Sequence, residues 1–429
     1  MKMGEEKGPA MIETLRTIFS FVKDNPIPKV YHKETIDCLF TYVNNYFNYK
    51  KQDKKVVMYN FCFTPEIFYA IDTYPLCQEA LSVGLAATGL AMNEPYIDVA
   101  EESGIPKELC NAQKPLIGAY LKGDAPKPDY IIYAAQPCDS LNIEYQIYEN
   151  LFKVPSFPID VPYWHYDPQS EFYNEKTLPY LKNQLENMVE WLEKQLGYQL
   201  DTEKLKKVVE MSNEAQENIL EFNELMKSIP CPLPSLTPFN NYIVELTTAG
   251  TPECVEYAKN MRNQAAEKVK RKEGVIPEEK IRAVWLYTHV FFSPDLFNWM
   301  AEKFGAVVVM DMLGYFITKP ISTSNTDKIF EGLAEKVLDM PMARQCRGPA
   351  EYYIDDYVKM CKEYSADCAI FSGHMACKHS WGLIKLLAES LREEVGIPTL
   401  AFEVDTMDSR PVPRGVIEAR LEQFFTTII

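Results

Sequence analysis

The sequence predicts two α/β domains, each built on a parallel sheet, joined by a helical connector. Three observations predict it. Strand-length apolar runs alternate with helical patterns from residue 56 to residue 160. The same alternation returns from residue 281. Between the two lie long amphipathic segments with no strand signal. A chain of 429 residues exceeds one ordinary hydrophobic core. We therefore assign residues 1–170 to an N-terminal α/β domain with a helical extension, 171–278 to the connector and 279–429 to a C-terminal α/β domain.

MIETLRTIFSFVKD and TIDCLFTYVNNYFNY read as helices. VVMYNF (56–61) is a short apolar run of strand length. Thr64 and Pro65 follow as an N-cap and first helical residue, and EIFYAIDTY continues as a helix. The next unit is PKPDYIIYAAQPCDSLNIEYQIYENLFKVPSFPID. It holds a strand at 130–135, a loop with Pro137, Cys138 and Asp139, an amphipathic helix, and a second strand ending at Asp160. That change of period marks a parallel βαβ crossover. The connector reads as TLPYLKNQLENMVEWLEKQLG, TEKLKKVVEMSNEAQENILEFNELMKSI and PECVEYAKNMRNQAAEKVKRK, punctuated by Gly197 and CPLPSLTP. RAVWLYTHVFF, AVVVMDML, DCAIFSGHM and IPTLAFEVD are four further strands, and VIEARLEQFFTTI closes the chain as a helix. No internal repeat is visible, although the two halves are able to share a plan.

Composition excludes several functions. The net charge is -17, so a polyphosphate backbone is repelled and nucleic acid is not expected as a partner. No segment reaches the about 20 apolar residues of a membrane helix. The first residues, MKMGEEKGPAMIETLRTIF, are acidic where a secretory signal is basic. A cytoplasmic protein is expected. The 11 cysteines form no CxxC pair, which argues against zinc ribbons and thioredoxin-like motifs. An odd count in an acidic, non-secreted chain also argues against a disulfide framework.

In open parallel sheets, ligands bind beyond the carboxyl ends of the strands. Cys138 follows YIIYAAQP, and Cys377 follows AIFSGHMA. Cys110 lies in GIPKELCNAQKPLIGAYL, and Cys346 in MARQCRGPAEYY, each near a loop-to-helix boundary. Spacing alone leaves two readings open: ordinary buried thiols, or metal ligands far apart in sequence. Thiolates suit an iron–sulfur cluster, because soft sulfur stabilises iron at low potential. Three cysteines on a four-iron cube leave one iron open as a Lewis acid.

The stretch around Cys110, the stretch PDYIIYAAQPCDSLNIEYQIYENLFKVPSFPIDVPYW around Cys138, and the block from HMACKHSWG to VIEARLEQFF resemble the 2-hydroxyacyl-CoA dehydratase and benzoyl-CoA reductase family. The order and spacing persist over nearly the whole chain and are most like those of the larger, α-type subunits. The resemblance implies a [4Fe–4S] cluster on Cys110, Cys138 and Cys377. It also implies a CoA thioester substrate, a homologous sister subunit and a separate ATP-hydrolysing iron–sulfur activator that delivers one electron. In the dehydratases that electron makes a ketyl radical on the thioester and expels the 2-hydroxyl; in the reductases it goes to an aromatic ring. Gly373, His374, Met375 and Ala376 stand where α-type subunits commonly carry Asn-Arg-Ser. A non-catalytic partner subunit and a double-cubane [8Fe–9S] branch stay open, with Cys346 as the first extra ligand.

Other residues divide between chemistry and packing. His374 and His379 flank Cys377, and His289 ends a strand; each is a candidate proton carrier or hydrogen-bond donor. His165 is a weaker candidate, and His32 is expected at the surface. Trp285 is expected in the core. Asp405, Asp408 and Arg410 are expected to organise the loop after the last strand. Arg344 and Arg347 either meet a phosphate or acidic partner or begin a solvated helix. The run KVKRKEG (268–274) is expected to be a solvated helix end rather than a phosphate site.

Overall fold

Valine, isoleucine and tyrosine runs form parallel strands, six of the eight buried on both faces. The computed structural model describes residues 9–25, 31–163 and 176–428. Its first sheet comprises β1 (Val56–Tyr59), β2 (Tyr74–Cys77), β3 (Tyr130–Ala134) and β4 (Ser156–Ile159). Its second comprises β5 (Ile281–Trp285), β6 (Ala306–Asp311), β7 (Cys368–His374) and β8 (Thr399–Val404). Both are parallel throughout, with orders β2-β1-β3-β4 and β6-β5-β7-β8. The two halves therefore share one topology without a visible sequence repeat. In each, the chain leaves the first strand to one side and later returns to the other. That reversal opens a crevice beyond the first and third strands.

One element departs from the sequence reading. EIFYAIDTY does not stay helical: the helix Glu66–Ala70 ends, Asp72 adopts φ 61°, and β2 begins at Tyr74. Pro75 lacks a backbone N–H and argues against a central strand. β2 lies at the sheet edge, where a proline is tolerated. The expected N-cap also moves by one residue, to Pro65, while the Thr64 hydroxyl binds the Glu66 carboxylate.

The connector is helical as read, with Thr177–Leu196, Thr202–Met226 and Pro252–Arg271. Asp201 caps the second, accepting from the amides of Glu203 and Lys204 at 2.9 and 3.1 Å. A further helix, Thr237–Thr248, was not expected. All 12 of its residues are buried, and it packs against both edge strands β2 and β6. Gly314, just after β6, lets it come close: a Cβ there would stand 2.3 Å from Pro238.

A buried ion cluster joins the halves. Lys336, on the helix Thr326–Asp339, donates to Glu66 at 2.7 Å and to Glu245 at 3.1 Å. Ser212 adds a bond to Glu66 at 2.6 Å. Burial opposes ionisation of Glu66, but Lys336 outweighs it and holds the carboxyl below its usual range. Burial pushes Glu245 up despite Lys336. Lys336→Met leaves an uncompensated buried carboxylate. We expect it to lower unfolding free energy by about 3–5 kcal/mol in denaturant titration. A loss near zero would show that the cluster contributes nothing net.

Candidate functional site

The loops after the first and third strands of both sheets meet at one cavity. Phe61 follows β1, and Pro137 to Ser140 follow β3. Tyr287 and Thr288 follow β5, and Ala376 to His379 follow β7. The two crevices thus face each other. The buried helix Thr237–Thr248 supplies Phe239, Tyr242, Ile243 and Leu246 to the wall. The cavity is about 100 Å³ and its lining is mostly apolar.

Cys110, Cys138, Cys346 and Cys377 all line it. Of the 11 cysteines, only Cys110, Cys138 and Cys377 are not fully buried. Cys138 and Cys377 occupy equivalent places, at the N-cap of the helix after the third strand of their sheets: Asp139–Phe152 and Lys378–Ser390. Cys110 precedes the helix Lys114–Lys122, and its sulfur accepts from the Ala112 amide at 3.4 Å. Amide dipoles at helix starts favour negative charge on sulfur. Burial nonetheless dominates, pushing Cys138 up to about 12 and Cys110 and Cys346 well above the ordinary thiol range. Neighbouring thiols push the same way. Such thiols stay protonated and are poor nucleophiles without a cation.

Among the described residues, no three His, Cys, Asp or Glu side chains are gathered tightly enough to grip one metal ion. A mononuclear site draws thiolates to within about 4.6 Å of each other, twice a metal–sulfur bond of about 2.3 Å. A multinuclear cluster interposes iron and sulfide and keeps its cysteines farther apart. Three partly exposed thiols lining one cavity are a soft donor set of the kind an iron–sulfur cluster takes.

His374 and His379 both line the cavity. His374 is buried, with the Asn111 amide 3.4 Å from Nε2 and the Thr406 amide 3.3 Å from Nδ1. Neutral imidazole accepts at one nitrogen only, and an added proton would oppose both amides. Burial lowers its pKa below the ordinary value, against the pull of Asp405. Asp405 accepts from the Asn111 amide group at 2.7 Å, tying the Cys110 loop to the end of β8. His289 is not brought to the cavity. It sits among Phe239, Trp285 and Phe297, with Nε2 3.2 Å from Asp311. His165 lies outside the described residues. His32 is not a free surface group: its Nε2 is 2.9 Å from the Thr237 hydroxyl, and burial lowers it to about 4.

Trp285 is core, donating to the Thr288 carbonyl and the Ser372 hydroxyl. Arg410 binds Asp408 and Asp98 and orders the loop after β8. Arg344 and Arg347 are both buried, so neither begins a solvated helix. Arg344 pairs with Asp356 at 2.7 Å. The KVKRKEG run closes the helix Pro252–Arg271 and does not line the cavity.

Two lining residues escaped the sequence reading. Tyr287 lines the cavity close to Cys377, and burial pushes its hydroxyl well above the ordinary range. Glu79, just after β2, is 3% exposed, and its Oε1 is buried with no hydrogen-bond partner. Burial raises it to about 8, only partly offset by nearby amides. It therefore holds a proton at neutral pH. The signal was an acidic residue directly after a strand; the strand itself was not recognised.

The family model described as 2-hydroxyglutaryl-CoA dehydratase, D-component, matches residues 60–428. The (R)-phenyllactyl-CoA dehydratase alpha subunit of Clostridium sporogenes is 21% identical, over 87% of this chain and 89% of its own. The (R)-2-hydroxyisocaproyl-CoA dehydratase alpha subunit of Clostridioides difficile is 21% identical, over 90% and 93%. A benzoyl-CoA reductase subunit of Thauera aromatica is also 21% identical, over 77% and 78%.

Glu79 makes stability depend on pH. Its folded pKa lies above its unfolded one, so the folded state keeps a proton that the unfolded state releases. The stabilisation is complete below the unfolded value and is lost as pH rises through about 8. Glu144, also raised, adds to the effect. We expect the melting temperature to fall between pH 6 and 9, and to fall less in Glu79→Gln. Equal falls would place Glu79 in a wetter setting than the structure does.

Proposed function

The chain belongs to the 2-hydroxyglutaryl-CoA dehydratase D-component family, and from that membership we propose that it is the iron–sulfur subunit of a radical-type enzyme dehydrating (R)-2-hydroxyacyl-CoA thioesters. One observation carries the reading. The only three partly exposed cysteines converge on one apolar cavity between the two sheet crevices. Cys110, Cys138 and Cys377 would hold a [4Fe–4S] cluster there. Bound, it supplies an electron at low potential and an open iron to polarise a substrate oxygen.

The chain's own residues do the rest. Phe61, Phe239, Tyr242 and Phe291 keep water from a radical formed on the thioester. Once the carbonyl is reduced to a ketyl radical, the 2-hydroxyl departs. That departure needs a proton, a proton must also leave C3, and the electron is then given back, so the net change is the loss of water. Glu79, protonated and unpartnered at Oε1, is placed to handle one of them. His374, held neutral with its two ring nitrogens facing the Asn111 and Thr406 amides, positions the Cys110 loop against the segment after β8. The Tyr287 hydroxyl, on the cavity wall near Cys377, is a candidate donor to that sulfur. The relatives' names as alpha subunits support a homologous sister subunit. An ATP-hydrolysing activator completes the proposed system, acting in the cytoplasm.

Cys346 supports a second reading. It lines the same cavity, and as a fourth thiolate it would close the last iron or anchor part of a double-cubane cluster. Ring reduction, the chemistry in the name of the Thauera relative, is the other outcome to be distinguished.

Anaerobic purification with any co-purifying subunit, followed by iron and sulfide counts, tests the reading. We expect about four irons per chain, lost in Cys377→Ala and kept in Cys346→Ala. About eight irons would favour the double cubane; none would overturn the cluster. With iron content unchanged, Glu79→Gln should lower kcat on a 2-hydroxyacyl-CoA by roughly 10²–10⁴-fold. A variant as active as the wild type would remove Glu79 from the chemistry.

A further inference from the structure

A second cavity adjoins the cysteine cavity. It measures about 420 Å³ and shares four wall residues with it: Ala80, Val83, Phe239 and Ile243. The helices Ala10–Asp24 and Lys33–Lys51 close its other sides. Among the described residues its lining is almost wholly apolar and contains none that is charged. An apolar cavity of about 150 Å³ already accommodates benzene. Phe21 and Leu90 at its outer rim are exposed.

A polar cleft of about 640 Å³ also adjoins the cysteine cavity, sharing Ala376 and Lys378 with it. Lys107, Lys378 and Arg410 line it among several carboxylates. The cysteine cavity therefore has one polar and one apolar space as neighbours. An acyl-CoA has the same asymmetry about its thioester, with a hydrated arm on one side and the acyl group on the other.

We infer that the 420 Å³ cavity is the acyl-group site, and that the substrate class is thioesters with a medium-length aliphatic or an aryl acyl group. This rests on the acyl-CoA reading above. It disfavours dicarboxylic acyl groups as ligands, because a terminal carboxylate meets no cation among the described residues of the lining and loses its water.

Binding tests the site without requiring turnover. The anaerobically purified protein, with any co-purifying subunit, is titrated calorimetrically with unsubstituted acyl-CoAs from acetyl to octanoyl, and with phenylpropanoyl- and glutaryl-CoA. Affinity should rise about fourfold per added methylene. Glutaryl-CoA should bind more weakly than pentanoyl-CoA. Ala87→Phe, and independently Leu39→Trp, narrow the cavity away from the cysteines. Each should abolish the octanoyl gain and leave acetyl-CoA affinity unchanged. A flat chain-length series, or glutaryl-CoA binding as well as pentanoyl-CoA, would overturn the assignment. Turnover of 2-hydroxyacyl-CoAs is read separately. Chain-length-dependent binding without dehydration would sink the proposed reaction and keep the acyl site. Dehydration with a flat series would do the reverse.

Discussion

Everything at the site depends on how the two sheets are held against each other, and the Lys336 cluster holds them. Its three charged members come from the first half, the central helix and the second half. Glu66 follows β1, Glu245 lies on Thr237–Thr248, and Lys336 lies on Thr326–Asp339. A buried ammonium needs its carboxylates, so the three elements cannot part without exposing an unpaired charge. The central helix is thereby clamped between β2 and β6. The carboxyl ends of both sheets then face one cavity.

Burial sets the electrostatics of that cavity. The same loss of water raises Cys110, Cys138, Cys346 and Glu79 and lowers His374. Every group is thus biased toward its neutral form. A cation arriving among the thiols changes the balance, since metal binding ionises its ligands and releases protons. A dry, neutral cavity also suits a substrate radical, which water would protonate or quench. The adjoining apolar space extends the same character toward an acyl group.

Much of this was legible in the sequence, element by element. β1 and β3 to β8 were all readable as apolar runs, because strands buried on both faces are written continuously. β2 was not. It has four residues and contains Pro75, which argues against a strand unless the edge position is already known. The helix Thr237–Thr248 was hidden behind a proline-rich stretch. Its burial on every side leaves no amphipathic stripe to detect. Cys110, Cys138, Cys346 and Cys377 were readable as loop or helix-start cysteines. Which of them face a common space was not.

The sequence alone determined the fold class, the absence of any apolar run long enough for a membrane helix, the strongly acidic charge and the pool of thiols from which a site could be drawn. These follow from local composition and period, which do not require partners. Tertiary structure alone decided the rest. It separated three partly exposed thiols from eight buried ones, sent His289 to an aromatic pocket with Asp311 and His374 to the cavity, and brought Glu79 to the wall. The reason is physical. Burial and proximity are set by contacts between residues tens to hundreds of positions apart, and no local pattern records which of those contacts will form.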